Sequence, residues 1–227
     1  MTTVKQLAKK ENYFCDSIIG PNGYKEIIEP FALTPKKYLE FAETDLGQKD
    51  VSPRPALNAL SNIKRAADCQ ADTLLKFWGL YDHSKKNNFR FYHKVELIKR
   101  TGIMAPGLLN RINSYRNSAE HDYEVPELDK IKDYYDMVSI FIEYSNVYMK
   151  YDFNNSEVVF DPDNDFGDWL RVKFDSEKGE FHIEYLHDVK EDKDGKRQLK
   201  KENIKYTTES SYDDYVEFLR VWYSLAI

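Results

Sequence analysis

An arginine, an asparagine, a histidine and a tyrosine fall within the run RNSAEHDY, Arg116 to Tyr123. A guanidinium stays charged and grips phosphate oxygens in a planar fork, whereas an imidazole, whose ordinary pKa is about 6.5, exchanges a proton near neutrality. Together they suit phosphodiester cleavage without a metal. A helix turns about 100° per residue, so Arg116 and Tyr123 fall nearly in register and Asn117 and His121 share the adjoining stripe. One surface can then present all four. The same spacing also allows a plain intrahelical ion pair between Arg116 and Glu120, which stabilises a helix by only a few tenths of a kcal/mol. Glu120 and Asp122 add negative charge beside the run, which opposes phosphate binding and favours the protonated form of His121.

Long amphipathic patterns flank this run and must position it. Thr34 as N-cap and Pro35 at the first helical position open a helix over PKKYLEFAETDL, which Asp50 to Pro55 closes. ALNALSNIKRAADCQADTLLKFWGL follows with Leu57, Leu60, Ile63, Ala67, Leu74, Leu75 and Trp78 at helical spacing and Gly79 at its end. Its Lys64, Arg65, Asp68 and Asp72 read as a solvated face. A polar loop leads to a helix in FRFYHKVELIKRTGI, and another begins near Pro106 and runs into the motif. Pro126 places the motif at a helix end or bend. Glu127 then opens a helix with Leu128, Ile131, Tyr135, Val138, Phe141, Ile142, Ser145 and Met149 on its buried side.

Beyond Tyr151 the pattern becomes short and alternating, in EVVF, WLRVKF, FHIEYLHDV and QLKKENIKYTT, which predicts an antiparallel sheet. Hairpin turns are expected at Ser176 to Gly179 and at Glu191 to Gly195. An apolar helix carrying Tyr212, Tyr215, Phe218, Leu219 and Trp222 ends the chain and must dock on the sheet or the bundle. The fold class is α+β, mainly α. Residues 1–52 form an N-terminal arm and helix, 53–151 a helical bundle, and 152–227 a β-rich region with a final helix.

The 227 residues carry 33 Lys and Arg against 39 Asp and Glu, a net charge of −6, so any RNA contact must be local rather than a general basic coat. Cys15 and Cys69 make neither a disulfide framework nor a metal spacing. The start, MTTVKQLAKKENYF, has no apolar segment with a cleavage site, and no apolar run nears the roughly 18 residues that span a bilayer. A cytoplasmic protein with no membrane contact is expected. The acidic run Asp161 to Gly167 opens like a calcium loop, but Phe166 stands where that loop needs glycine and Val172 where it needs glutamate. His182 and His187, five apart in a strand, point to opposite faces and share no metal. His83 and His93 have no partner visible in the sequence. Phosphate-loop, H-E-x-x-H and G-x-S-x-G motifs are absent, and neither metal nor cofactor is expected.

Arg116, Asn117, His121 and Tyr123 reproduce the R-N-x-x-x-H-x-Y form of an R-x4-6-H signature, and over residues 53–150 the chain resembles the HEPN superfamily of nucleotide-binding helical bundles. The resemblance implies a four- or five-helix bundle that forms a homodimer, with the motif of each copy lining one composite cleft. It implies a metal-independent endoribonuclease acting as a toxin or in antiphage defence. Arg116 would bind the scissile phosphate, Asn117 would orient that phosphate or His121, and His121 would transfer protons. Tyr123 matches a tyrosine that a partner nucleotidyltransferase modifies in some toxin members, so such an enzyme or a small antitoxin is an expected partner. The alternative is a noncatalytic bundle of the same kind that binds a nucleotide, RNA or a protein through that cleft.

Overall fold

A computed structural model describes residues 29–48, 52–102, 107–121, 125–150, 157–160, 169–191 and 197–225. The helices are α1 (Pro35–Leu46), α2 (Pro53–Phe77), α3 (Tyr81–Lys86), α4 (Phe91–Arg100), α5 (Gly107–His121), α6 (Leu128–Lys150) and α7 (Tyr212–Leu225). Between α6 and α7 come β1 (Glu157–Phe160), β2 (Trp169–Asp175), β3 (Glu180–Glu191) and β4 (Arg197–Thr207), an antiparallel sheet in the order β1-β2-β3-β4. The protein is therefore α+β and mainly helical. Among the described residues no helix is long and apolar enough to cross a membrane. The expected N-terminal arm up to residue 28, the acidic run at 161–167 and the second hairpin turn lie outside the described residues.

α1 opens as its sequence dictates. The Thr34 hydroxyl accepts a hydrogen bond from the Lys37 amide at 3.2 Å, and Pro35 fills the first helical position. α2 is the central element, packed against α1, α5 and α6. Its buried stripe is rich in alanine, with Ala56, Ala59, Ala66, Ala67 and Ala71 beside Leu60, Ile63, Leu74 and Leu75, and such small side chains let neighbouring helices approach closely. α2 starts at Pro53, so the prolines expected to end the previous helix occupy its first turn, where a missing N–H has no intrahelical partner to lose. A short helix, α3, also stands within the expected polar loop, and Leu128 in the first turn of α6 is half exposed rather than buried.

The sheet is two-faced. Val172, Phe174, Phe181, Ile183 and Tyr206 are buried, while the alternate positions Arg171, Lys173, His182, Lys201, Asn203 and Lys205 are exposed. α7 covers the apolar face. Phe181 stacks on Phe174 at 4.5 Å between ring centres and meets Phe218 at 4.8 Å and Trp222 at 5.9 Å. α7 also joins the helices. The Tyr215 hydroxyl donates to the Trp78 carbonyl at 2.6 Å, and the Tyr223 ring lies 6.2 Å from both Trp78 and Tyr148. Burial pushes the Tyr223 and Tyr215 hydroxyls far above the ordinary phenol range.

Two glycines bring the end of α2 against the β2–β3 hairpin. Gly79, at φ +69°, ends α2 in a paired bonding pattern: its amide donates to the Lys76 carbonyl and the Leu80 amide to the Leu75 carbonyl. Gly179, at φ +61°, sits in the β2–β3 hairpin turn as expected. A methyl group added at Gly79 would lie 2.6 Å from the Gly179 Cα and from the Ser176 carbonyl oxygen.

Candidate active site at the end of the motif helix

α5 places the motif. Leu109 and Ile112 are fully buried and Arg116 follows at the same helical phase, so the core-facing stripe of the helix runs into the arginine. That placement leaves Arg116 half-buried. Its Nη1 donates to the Asn117 side-chain oxygen at 3.3 Å, which joins the first two residues of the motif directly. The helix continues through Glu120 and ends at His121, so Asn117 and His121 stand one turn apart on its last turns. The side chains of Glu120 and His121, the expected Arg116–Glu120 pair with them, and residues Asp122 and Tyr123 lie outside what the structure describes.

The segment that leaves the motif is anchored by Tyr115. Its hydroxyl accepts a hydrogen bond from the Glu127 backbone amide at 2.8 Å, just ahead of α6. This bond satisfies one of the amides that a helix start leaves without an intrahelical partner. The Tyr115 ring packs 5.3 Å from Tyr134 of α6, and the Lys130 ammonium lies 5.5 Å over it. Pro126, next to Glu127, is buried. Burial and the neighbouring Tyr115 raise the Tyr134 hydroxyl, while Lys130 of α6 and Arg111 of the motif helix pull it down. Tyr115 carried no role in the sequence reading, because its partner amide is twelve residues away.

A second polar cluster lies where α4 meets α2. Lys94 is almost fully buried, and its ammonium pairs with Asp68 at 2.8 Å and with Asp72 at 2.7 Å. Lys64 reaches the other Asp68 oxygen at 3.0 Å. Lys64, Asp68 and Asp72 are therefore an interhelical ionic network and not the solvated face the sequence predicts; only Arg65 of that set is exposed. Burial opposes ionisation of Asp68, but the hydrogen bond and charge of Lys94, with help from Lys64, hold its carboxyl below the ordinary range. Burial likewise opposes the Lys94 charge, and the two aspartates overcome it and raise the ammonium. Cys69, between them in sequence, donates to the Leu33 carbonyl at 3.4 Å. Its thiol is pushed up to about 11 by burial and by the nearby carboxylates.

The histidines left without assignment acquire partners. His83 stacks on Tyr212 with ring centres 4.1 Å apart, bonds the Thr208 backbone, and is lowered by burial. His93 stacks on Phe89 and closes a capping box with the Arg90 backbone at 3.1 Å. The His83 contacts dock α3 against the start of α7, whereas those of His93 fix the start of α4. His182 is exposed and bonds Glu180 at 3.0 Å. Among the described residues no group of His, Cys, Asp and Glu side chains is arranged to hold a metal ion.

Comparison of the chain with family models, with curated proteins and with solved structures returns no match.

Proposed function

We propose that the protein is a metal-independent endoribonuclease of HEPN type, active as a homodimer, in which Arg116 and His121 are the essential pair. The observation that supports this most is the placement of Arg116. A guanidinium half-buried at the edge of the core, held by Asn117 and one helical turn from the end of α5, is restrained for an anion more than a solvated surface arginine would be.

The reaction is a transesterification. The ribose 2′-oxygen forms a bond to phosphorus as the bond to the 5′-oxygen breaks, leaving a 2′,3′-cyclic phosphate and a 5′-hydroxyl. One imidazole takes the 2′-hydroxyl proton and another delivers a proton to the departing oxygen, a division that two copies of His121 in one cleft provide. Arg116 stabilises the charge gathered on the phosphate oxygens. Asn117 positions the guanidinium, and Tyr123 is the regulatory position where a partner nucleotidyltransferase would silence a toxin or antiphage effector of this kind.

Purified protein incubated with structured and unstructured RNA in EDTA tests the reading. Cleavage by the wild type that Arg116→Ala and His121→Ala each reduce by at least about a hundredfold is expected, the scale of a lost general acid–base or charge-stabilising group. No cleavage by the wild type, or equal cleavage by His121→Ala, overturns it. RNA binding without cleavage would indicate the noncatalytic module instead.

A further inference from the structure

We infer that the exposed side of α6 is a contact for a second copy of this chain, with the two α6 helices packed antiparallel. Met137, Ile140, Tyr144 and Val147 recur at spacings of three, four and three, the a/d seam of a coiled coil. A different side of the helix, carrying Val138, Ile142 and Ser145, already packs into the core. Ile140, Tyr144 and Val147 are 66, 43 and 47% exposed, three of the eight large apolar side chains left open to solvent among the described residues. One such residue needs no partner, but three in helical register make a stripe. Tyr144 is also held in place. Its hydroxyl and that of Tyr148 are hydrogen-bonded at 2.8 Å, and the two rings meet edge-on at 5.1 Å. An ordered anchor loses little freedom on docking.

Charge sets the occupant and its direction. Asp136 and Lys150 flank the seam on one side, are exposed, and have no ion-pair partner among the described residues. In an antiparallel pair whose two-fold axis passes near Ile142, Tyr144 meets the partner's Ile140 and Met137 meets the partner's Val147. Asp136 then lies beside the partner's Lys150, and such flanking charges choose orientation in coiled coils. Glu143 comes near the partner's Glu143, and each is already answered by a Lys36 of its own chain at 2.9 Å. A parallel pair would set Asp133, the next residue in phase, against the partner's Asp133. It would also leave Asp136 and Lys150 about 21 Å apart along the seam. The start of α6, beside the motif, lies about 21 Å from the antiparallel axis, so the two motif ends stand about 42 Å apart. The contact is therefore distinct from the cleft of the proposed function, and chains using both would form a tetramer.

Sedimentation equilibrium over about 1–100 µM provides the test, since four layers of side chains bury less than the roughly 1,200 Å² of a tight complex and micromolar association is expected. Ile140→Asp/Val147→Asp should halve the mass of the wild-type assembly and keep its urea midpoint, because both side chains lie outside the core. Asp136→Lys and Lys150→Asp each reverse two symmetric pairs, so each should weaken association about tenfold. Asp136→Lys/Lys150→Asp should restore it. General charge repulsion cannot give this pattern, since in a chain of net charge −6 Asp136→Lys alone would then strengthen association. A wild-type monomer at about 100 µM, an unchanged mass in Ile140→Asp/Val147→Asp, or no recovery in the double charge variant overturns the proposal. Absence of RNA cleavage alongside the recovered association leaves the α6 contact standing and removes the nuclease. Cleavage that His121→Ala abolishes, in a protein whose mass ignores the α6 variants, does the reverse.

Discussion

Substituting Gly79 by alanine attacks the join between the helical bundle and the sheet where the end of α2 meets the β2–β3 hairpin. Two costs add. A non-glycine residue at φ +69° carries about 1–2 kcal/mol of local strain. The new methyl group also meets the Gly179 Cα and the Ser176 carbonyl oxygen at 2.6 Å and the Gly179 nitrogen at 2.9 Å. All three are backbone atoms, so relief requires the hairpin to shift, and overpacking of this kind costs about 1–3 kcal/mol. The sum, about 2–5 kcal/mol, is a large part of the about 5–15 kcal/mol that ordinarily separates a folded domain from its unfolded chain. With a urea dependence of about 3 kcal/mol per molar, the unfolding midpoint of Gly79→Ala should fall by about 0.7–1.7 M. Gly47 supplies the control, because its φ is −78° and an added methyl comes no closer than 3.4 Å to its neighbours. Gly47→Ala should stay within about 0.5 kcal/mol of wild type. Equal midpoints for the two variants would show that Gly79 and Gly179 do not meet as described.

Lys94→Met leaves Asp68 and Asp72 facing each other without their shared cation, and with both partly screened by solvent the loss should be about 2–3 kcal/mol by urea titration. The pH dependence should change with it. Asp68 has a depressed folded pKa, so its contribution is present above the ordinary carboxylate range and fades as pH falls through the lowered value; the variant should lose this acid limb and approach wild-type stability at low pH. Tyr115→Phe removes the acceptor of the Glu127 amide, which should cost about 1 kcal/mol, or about 2–4 °C in Tm, and reduce RNA cleavage beyond that change by loosening the exit from the motif. In a Cys15→Ser background, Cys69 should react with iodoacetamide far more slowly at pH 8 in the native state than in urea, since its thiol is raised to about 11; equal rates would contradict its burial.

Much of this architecture is readable from local pattern, and what is not follows from distance along the chain. Alternation in WLRVKF and FHIEYLHDV already separates Val172, Phe174, Phe181 and Ile183 from Arg171, Lys173 and His182, because a strand reverses its side chains at every residue. Thr34, Pro35 and Gly179 announce a helix start and a turn by their own chemistry. Lys94 is different: a lysine in an amphipathic pattern reads as solvated, and its partners lie on another helix, as far as 26 residues away. The spacing of Lys64, Asp68 and Asp72 at successive turns was the available signal, since a single stripe of mixed charge can face a neighbouring helix as well as water. Gly79 could be read as a helix end but not as a contact for Gly179, a hundred residues later. Six-residue α3 is too short for periodicity to reveal. At the motif, spacing gave the helical placement of Arg116, Asn117 and His121, but neither the hydrogen bond to Asn117 nor the anchoring of α6 by Tyr115.

The most direct measurement is the chemistry of the RNA ends made in EDTA from a substrate carrying one 2′-deoxy nucleotide at the main cleavage position. Transesterification through Arg116 and His121 predicts 2′,3′-cyclic phosphate and 5′-hydroxyl termini at ordinary positions, no cut at the deoxy position, and at least about a hundredfold less product from His121→Ala. Cleavage at the deoxy position, 5′-phosphate termini, or products from His121→Ala in wild-type amounts would contradict it.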